Sequence, residues 1–182
     1  LALYLKTASG YAYWLDSGEF VAASISLGIA HPPGHPLAAL VGNLFSWLPL
    51  GSHDFRLGLG SAVMAAAASY YLYRISRRIV GLVLPENPWV SDPLALGSAW
   101  LVSFCFGWWF QAVRPEVYAL QAALLLFALH RITLLELRWP EPDLRHLYAA
   151  SLALGLALAN HHLLAILVLV ALLPLFWRVR RR

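Results

Sequence analysis

Charge is scarce in this sequence. Asp, Glu, Lys and Arg make up 12% of its 182 residues, while 60% are hydrophobic. A soluble domain carries about 25% charged residues, so the long apolar runs point to a bilayer as the solvent. Cysteine is nearly absent. The lone Cys105 excludes an intrachain disulfide and lies within an apolar run, as a small core residue would. No internal repeat and no low-complexity segment stands out. No basic stretch precedes the first residues, so there is no cleavable signal pattern. The chain starts at Leu1 without an initiator Met and ends in a basic cluster, Arg178 to Arg182, just after an apolar run. This reads as a piece of a longer protein, with a first spanning helix upstream. The net charge of +4 is no nucleic-acid signature, because the basic residues sit between apolar runs rather than on one polar face.

Those runs predict an all-α, polytopic membrane protein, a single transmembrane domain over 1–182. Membrane helices are expected over 55–78, 94–110 and 117–137, with the last also carrying His130, Arg131 and Glu136 toward its end. The stretch from Leu147 to Trp177 is too long for one span. Straight, it would measure about 46 Å at 1.5 Å per residue, against an apolar core of about 30 Å. Asn160-His161-His162 also falls in its middle, where polar groups are costly. A break there gives two helices, 147–159 and 163–177. Ten of the thirteen Lys and Arg residues fall at Arg74–Arg78, Arg131–Arg145 and Arg178–Arg182. Placing these inside puts Asn160 at the outer face and agrees with the break. The connectors Leu84–Pro93 and Trp139–Arg145 are then cytoplasmic. Residues 16–50 form an extracytoplasmic loop with juxtamembrane helices. Within it, Pro36–Leu48 is too short to span and reads as an interfacial helix, opened by Pro36, ended by Pro49 and Gly51, with Trp47 at headgroup level.

This topology gathers the polar residues at one face: Asp16, Glu19, His31, His35, His53, Asp54, Arg56, Arg114, Glu116, Asn160, His161 and His162. Each has a structural and a functional reading. Asp16-x-x-Glu19 has the spacing of a capping box for a helix over Phe20–Leu27, and equally of a carboxylate held ready for proton transfer. His31-Pro-Pro-Gly34-His35-Pro36 is a rigid extended turn that would hold two histidines at the membrane surface, where they can donate to a phosphate. Asn160-His161-His162 solvates exposed helix ends or binds an anion at the start of the following helix. Arg114-Pro115-Glu116 is a tight outer turn, or supplies a phosphate-binding arginine and a second carboxylate.

Together these residues resemble a known family. Trp14-Leu-Asp16-Ser-Gly-Glu19-Phe-Val-Ala and Leu27-Gly-Ile-Ala-His31-Pro-Pro-Gly-His35-Pro-Leu37 resemble a bacterial family of polytopic proteins long labelled as of unknown function. That family is similar to the protein O-mannosyltransferases and has the GT-C glycosyltransferase fold. The resemblance continues at Arg56 with Ser61-Ala62, at Val113-Arg-Pro-Glu-Val-Tyr-Ala-Leu120, and at Gly155-Leu-Ala-Leu-Ala-Asn160-His161-His162. It implies a polyprenyl-phosphate-linked sugar as donor, a protein or glycan acceptor, and an acidic residue in the first extracytoplasmic loop, here Asp16. It also implies a bacterial cytoplasmic-membrane location with the site facing the exterior. Relatives often carry Lys at the position of His31 and again near His161, positions that bind the lipid phosphate in the wider fold; histidine here implies phosphate binding that depends on pH.

The implied chemistry is one displacement at the anomeric carbon. Asp16 is the expected general base and Glu19 its support. His31, His35, Arg56, Arg114, Glu116, Asn160, His161 and His162 are expected to bind substrate and the lipid phosphate. No cofactor and no nucleic acid are expected. Two rivals remain: a non-enzymatic carrier-lipid binder or transporter, and a metal-dependent membrane enzyme using the His31-x-x-x-His35 spacing, against which the intervening prolines argue.

Overall fold

The computed structural model describes residues 1–11, 15–85, 87–137, 143–173 and 177. Trp14, the cluster Arg178–Arg182 and much of the connector Trp139–Arg145 lie outside the described residues, as do 174–176 of the last expected helix. Among the described residues eight helices follow one another: α1 (Ala2–Thr7), α2 (Ser17–Ser26), α3 (Pro36–Ser46), α4 (His53–Val83), α5 (Pro88–Ser103), α6 (Phe106–Ala112), α7 (Tyr118–Leu137) and α8 (Leu144–Ala171). Among the described residues there is no strand.

By length and composition, α7 and the 28 residues of α8, which are broken at His161, are enough to cross a membrane, and the bent pair α5–α6 makes a third candidate when taken as one span. The packing has the character of a membrane bundle. What is buried is small: Ala62, Ala65 and Ala68 on α4, Ala95 and Ala99 on α5, and Ala119, Ala123 and Ala128 on α7. What is exposed is large and apolar, including Leu82, Leu101, Leu152, Leu167 and Leu173. Small residues let helix backbones approach closely, and lipid tails cover leucine as well as a protein core does. α4 sits at the centre, packed on α5, α6 and α7; α8 packs on α7, and α3 bridges α2, α4 and α8. The chain is therefore an all-helical membrane protein.

Three elements depart from the sequence reading. The expected helix over 94–110 is two helices, bent by 68° between α5 and α6. Cys105 takes extended angles (φ −67°, ψ 150°), and the Ser103 carbonyl is met at 2.7 Å by the hydroxyl of Tyr4 from α1. That donor replaces the intrahelical amide a break removes. The expected connector Leu84–Pro93 is also shorter, because Pro88 opens α5 at its first turn. An ion pair from Arg77 to Asp92, at 2.7 and 3.0 Å, then ties the end of α4 to α5. Finally, α4 runs to Val83, past the expected limit of 78. It starts on a capping Ser52, whose hydroxyl accepts from the Phe55 N–H at 3.2 Å.

α8 is not one rod. His161 has non-helical angles (φ −151°, ψ 92°). Leu172 shares a cluster with Ala150, Ala153 and Leu154, and Val168 and Leu169 pack on the same cluster. In a straight helix Leu172 would lie about 27 Å from Leu154. The chain after His161 therefore returns alongside the arm before it, and the tip of this helical hairpin carries Asn160 and His161.

Candidate functional site

α2 and α3 cover one end of the bundle. Their approach is close because Gly42 has no side chain: a Cβ there would sit 2.7 Å from Ser24 Oγ. Asn43 Nδ2 donates to the Ser24 carbonyl at 2.9 Å, meeting an unpaired carbonyl in the last turn of α2. The turn between them contains a cis Pro32–Pro33 bond and a left-handed Gly34 (φ +89°). It brings His31 back over the start of α2.

Asp16 is the N-cap of α2, but its carboxylate makes no capping bond. Glu19 makes none back to it either. The capping box suggested by the spacing is replaced by a tertiary contact. Glu19 Oε1 accepts the His31 backbone N–H at 2.6 Å, and Glu19 Oε2 lies 3.0 Å from His31 Nδ1. The other ring nitrogen, Nε2, is 3.8 Å from Asp16 Oδ2. One imidazole thus stands between two carboxylates. The hydrogen bond from His31 holds the Glu19 carboxyl below its ordinary range. The bond to Glu19, with the charges of Asp16 and Glu116 adding to it, holds the His31 imidazole above its ordinary value. Asp16 stays open to an incoming group.

Behind this pair lies a cleft lined by Asp16, Phe20, His31, His35, Glu116 and Tyr118. His35 is buried in a left-handed conformation (φ +46°), and its Nδ1 meets the Asn160 carbonyl at 2.8 Å. Rings continue the line: His31 to His35 at 5.8 Å, His35 to His161 at 5.4 Å, and Tyr118 to His161 at 5.8 Å. The hairpin tip is anchored from α7. Asn160, only 1% exposed, donates from Nδ2 to the Val117 carbonyl (3.1 Å) and to Gln121 Oε1 (2.9 Å). Gln121 Nε2 in turn donates to the His161 carbonyl at 3.2 Å. The carbonyls freed by the break are therefore taken by His35 and Gln121.

Arg114 and Glu116 form a buried pair beneath the cleft, 3.2 Å apart. Ser17 joins them to α2: its Oγ donates to Glu116 Oε1 (3.1 Å) and accepts from Arg114 Nη1 (3.3 Å). The Arg114 guanidinium also lies 4.2 Å above the Phe110 ring. Arg114 is thus engaged by protein groups and reaches the cleft through Glu116 and Ser17.

The structure brings together Asp16, Glu19, His31, His35, Glu116, Asn160 and His161, with Arg114 underneath. His162 is exposed, its ring 6.4 Å from that of His161. Arg56 is elsewhere. Its Nε, Nη1 and Nη2 donate to the carbonyls of Leu50, Ser46 and Gly51 at 2.7, 2.8 and 3.1 Å, tying the end of α3 to the start of α4. In the His31-x-x-x-His35 spacing, His35 Nδ1 is taken up by the Asn160 carbonyl. Ligand atoms of Asp16, Glu19 and His31 do lie within 4.8 Å of one another, a grouping that can hold a metal ion. Ser17, Gln121 and Tyr118 were missed by sequence reasoning. The available signal was strongest for Gln121, a polar side chain inside an apolar run.

Comparison with known proteins fits these residues. The family described as the Protein O-mannosyl-transferase TMEM260 N-terminal domain matches residues 16–182. The chain is 30% identical over 161 residues to the Protein O-mannosyl-transferase TMEM260 of Mus musculus, covering 85% of this chain and 21% of that protein. It is 27% identical over 169 residues to the Protein O-mannosyl-transferase tmem260 of Dictyostelium discoideum, covering 85% of this chain and 19% of that protein. The chain thus spans about a fifth of the length of these curated relatives. No solved structure matches it. The match begins at Asp16 and takes in the whole cleft, so the chain belongs to the family of the TMEM260 protein O-mannosyl-transferase N-terminal domain.

Proposed function

We propose that this chain is the N-terminal membrane part of a GT-C type glycosyltransferase. It moves a sugar, mannose by the names of its relatives, from a polyprenyl-phosphate donor to a hydroxyl of a protein or glycan acceptor at the extracytoplasmic face. The observation that carries this reading is the Asp16 carboxylate: exposed, free of a capping bond, and at the mouth of a cleft whose other wall is histidine.

In this reading Asp16 takes the proton of the acceptor hydroxyl as its oxygen bonds to the anomeric carbon. The bond from that carbon to the phosphate oxygen breaks, and its electron pair leaves with the polyprenyl phosphate. Charge develops on the leaving phosphate, where donors lower the barrier. Protonated His31 is the nearest cation, and His161 lies further along the line of rings. Glu19 keeps His31 charged and in place. Arg114 and Glu116 support the floor rather than bind phosphate directly, and Arg56 holds α3 against α4.

The test uses purified full-length protein with a defined polyprenyl-phosphate mannose, reading acceptor mass. Asp16→Asn removes the base, and general-base catalysis is worth about 10²–10⁴-fold. Loss of that size with donor-lipid binding retained supports the enzyme. Unchanged transfer sinks the assignment of Asp16, and binding without any transfer by the wild type favours a carrier-lipid binder or transporter. A second reading rests on the clustering of Asp16, Glu19 and His31: a divalent metal held there would replace His31 as the electrophile. Full activity after exhaustive chelation excludes it.

A further inference from the structure

A second polar cluster, which sugar transfer does not use, lies toward the other end of the bundle. α4 brings Arg74 and Arg78, α7 brings His130 and Arg131, and α8 brings His146. Arg78 is about 26 Å along α4 from Ser61, the residue that meets Glu116 beneath the cleft. His130 is 6% exposed, and its ring lies 5.7 Å from that of Tyr71. Arg74, Arg78, Arg131 and His146 are all near enough to act on it electrostatically.

These groups are cationic or donor-rich, and several of their atoms are unmet. His130 Nδ1, Arg78 Nη1 and Arg131 Nε are buried with no hydrogen-bond partner. Arg74 donates to the Tyr70 hydroxyl at 2.6 Å. Among the described residues, Asp92 holds Arg77, and Asp143 accepts the Arg145 N–H at the start of α8. Among the described residues, Arg74, Arg78 and Arg131 have no ion pair with a carboxylate. The positive charges of Arg74, Arg78 and Arg131 all bear on the buried His130, and buried donors without partners are costly. One anion with several acceptor oxygens relieves both.

We propose that Arg74, Arg78, His130 and Arg131 form a binding site for the phosphate of an anionic phospholipid headgroup, at the bundle end remote from Asp16. Basic pockets between membrane helices on the cytoplasmic side bind such headgroups. The exposed Tyr70 and Tyr148 flank this end, where aromatic rings favour the headgroup level. The acyl chains lie along the exposed leucines of the bundle.

Native mass spectrometry of the purified full-length protein tests this without reference to sugar transfer. Phosphatidylglycerol is retained in preference to phosphatidylcholine, whose ammonium compensates the phosphate. Each arginine near an anionic headgroup contributes about fivefold in affinity, so Arg78→Gln with Arg131→Gln lowers phosphatidylglycerol retention about 25-fold. Arg78→Lys, which keeps the charge, retains most of it. Displacement by soluble glycerol 3-phosphate identifies a soluble phosphate ester as the source, and resistance to it identifies the lipid; both sustain the phosphate site. Equal retention of the two lipids by the wild type overturns the proposal. So does wild-type retention by a doubly substituted protein that elutes like the wild type. Should that variant not fold, the lipid preference of the wild type and the Arg78→Lys result decide.

Discussion

His31 meets Glu19 twice, through its backbone N–H at 2.6 Å and its ring Nδ1 at 3.0 Å, so one carboxylate fixes both the position and the charge of this histidine. The contact closes a loop of twelve residues and sets the distance from the ring to Asp16. Both groups are exposed, so its effect is local order rather than global stability.

The pH dependence follows from the two shifts. His31 titrates above its ordinary 6.5, chiefly because of the bond to Glu19. Glu19 titrates below its ordinary 4.5, chiefly because of the bond from His31. The histidine's contribution is fully present below 6.5 and lost as pH rises through its raised value. The carboxylate's contribution is present above 4.5 and lost as pH falls through its lowered value. The loop is therefore ordered from the lowered Glu19 value up to the raised His31 value. Histidine-selective NMR of the full-length protein checks this: the His31 midpoint lies above 6.5 in the wild type and drops toward 6.5 in Glu19→Gln. An unchanged midpoint in that variant removes Glu19 as the cause.

Breaking the Arg114–Glu116 pair harms the fold itself. Both side chains are almost fully buried, and removing one partner leaves an uncompensated charge, at a cost of about 3–5 kcal/mol. Arg114→Met and Glu116→Gln each lower the melting temperature strongly, whereas the double variant loses much less than the sum. Thermal melts of the four proteins in one detergent give the coupling. Additive losses contradict a direct pair.

The positions of Asp16, His31, His35 and 160–162 were legible because each stands out locally: acids before an apolar helix, a Pro-Pro-Gly turn, polar residues inside an apolar run. The partners of these residues were not. Asp16-x-x-Glu19 fits a capping box, yet the partner of Glu19 is twelve residues away, brought back by a turn whose path no local pattern specifies. The bend after Ser103 has no proline to announce it and depends on a hydroxyl 99 residues away. Arg56 and Arg114 read as free cations for the same reason: a sequence shows a charge, but not the carbonyls or carboxylate that folding sets against it.

The α2–α3 approach is sensitive to a single methyl group. A Cβ at Gly42 would meet Ser24 Oγ at 2.7 Å and Leu57 Cδ2 at 3.2 Å. Gly42→Ala forces α3 away from α2 and α4, at about 1–3 kcal/mol of overpacking. Because α2 carries Asp16 and α3 follows directly on His35, transfer in the proposed reaction falls along with stability. Gly42→Ala with Ser24→Gly, which removes the opposing hydroxyl, recovers part of both. A melting temperature unchanged in Gly42→Ala shows that the helices are not in contact there.

The hairpin tip gives the sharpest separation of local from global effects. Asn160 bonds the Val117 carbonyl and Gln121, while Gln121 also bonds the His161 carbonyl. Asn160→Ala removes two bonds and strands the buried Gln121 acceptor, a loss of about 1–3 kcal/mol. Gln121→Ala removes that same Asn160 contact and also frees the His161 carbonyl, which lets the His161 ring move away from His35 and Tyr118. In the proposed reaction that movement weakens donor-lipid binding, so the apparent KM for the polyprenyl-phosphate sugar rises more than kcat falls. Asn160→Ala lowers both with the melting temperature. If Gln121→Ala leaves the KM for the donor unchanged while lowering kcat, His161 does not touch the donor, and the phosphate end of the cleft belongs to His31 alone.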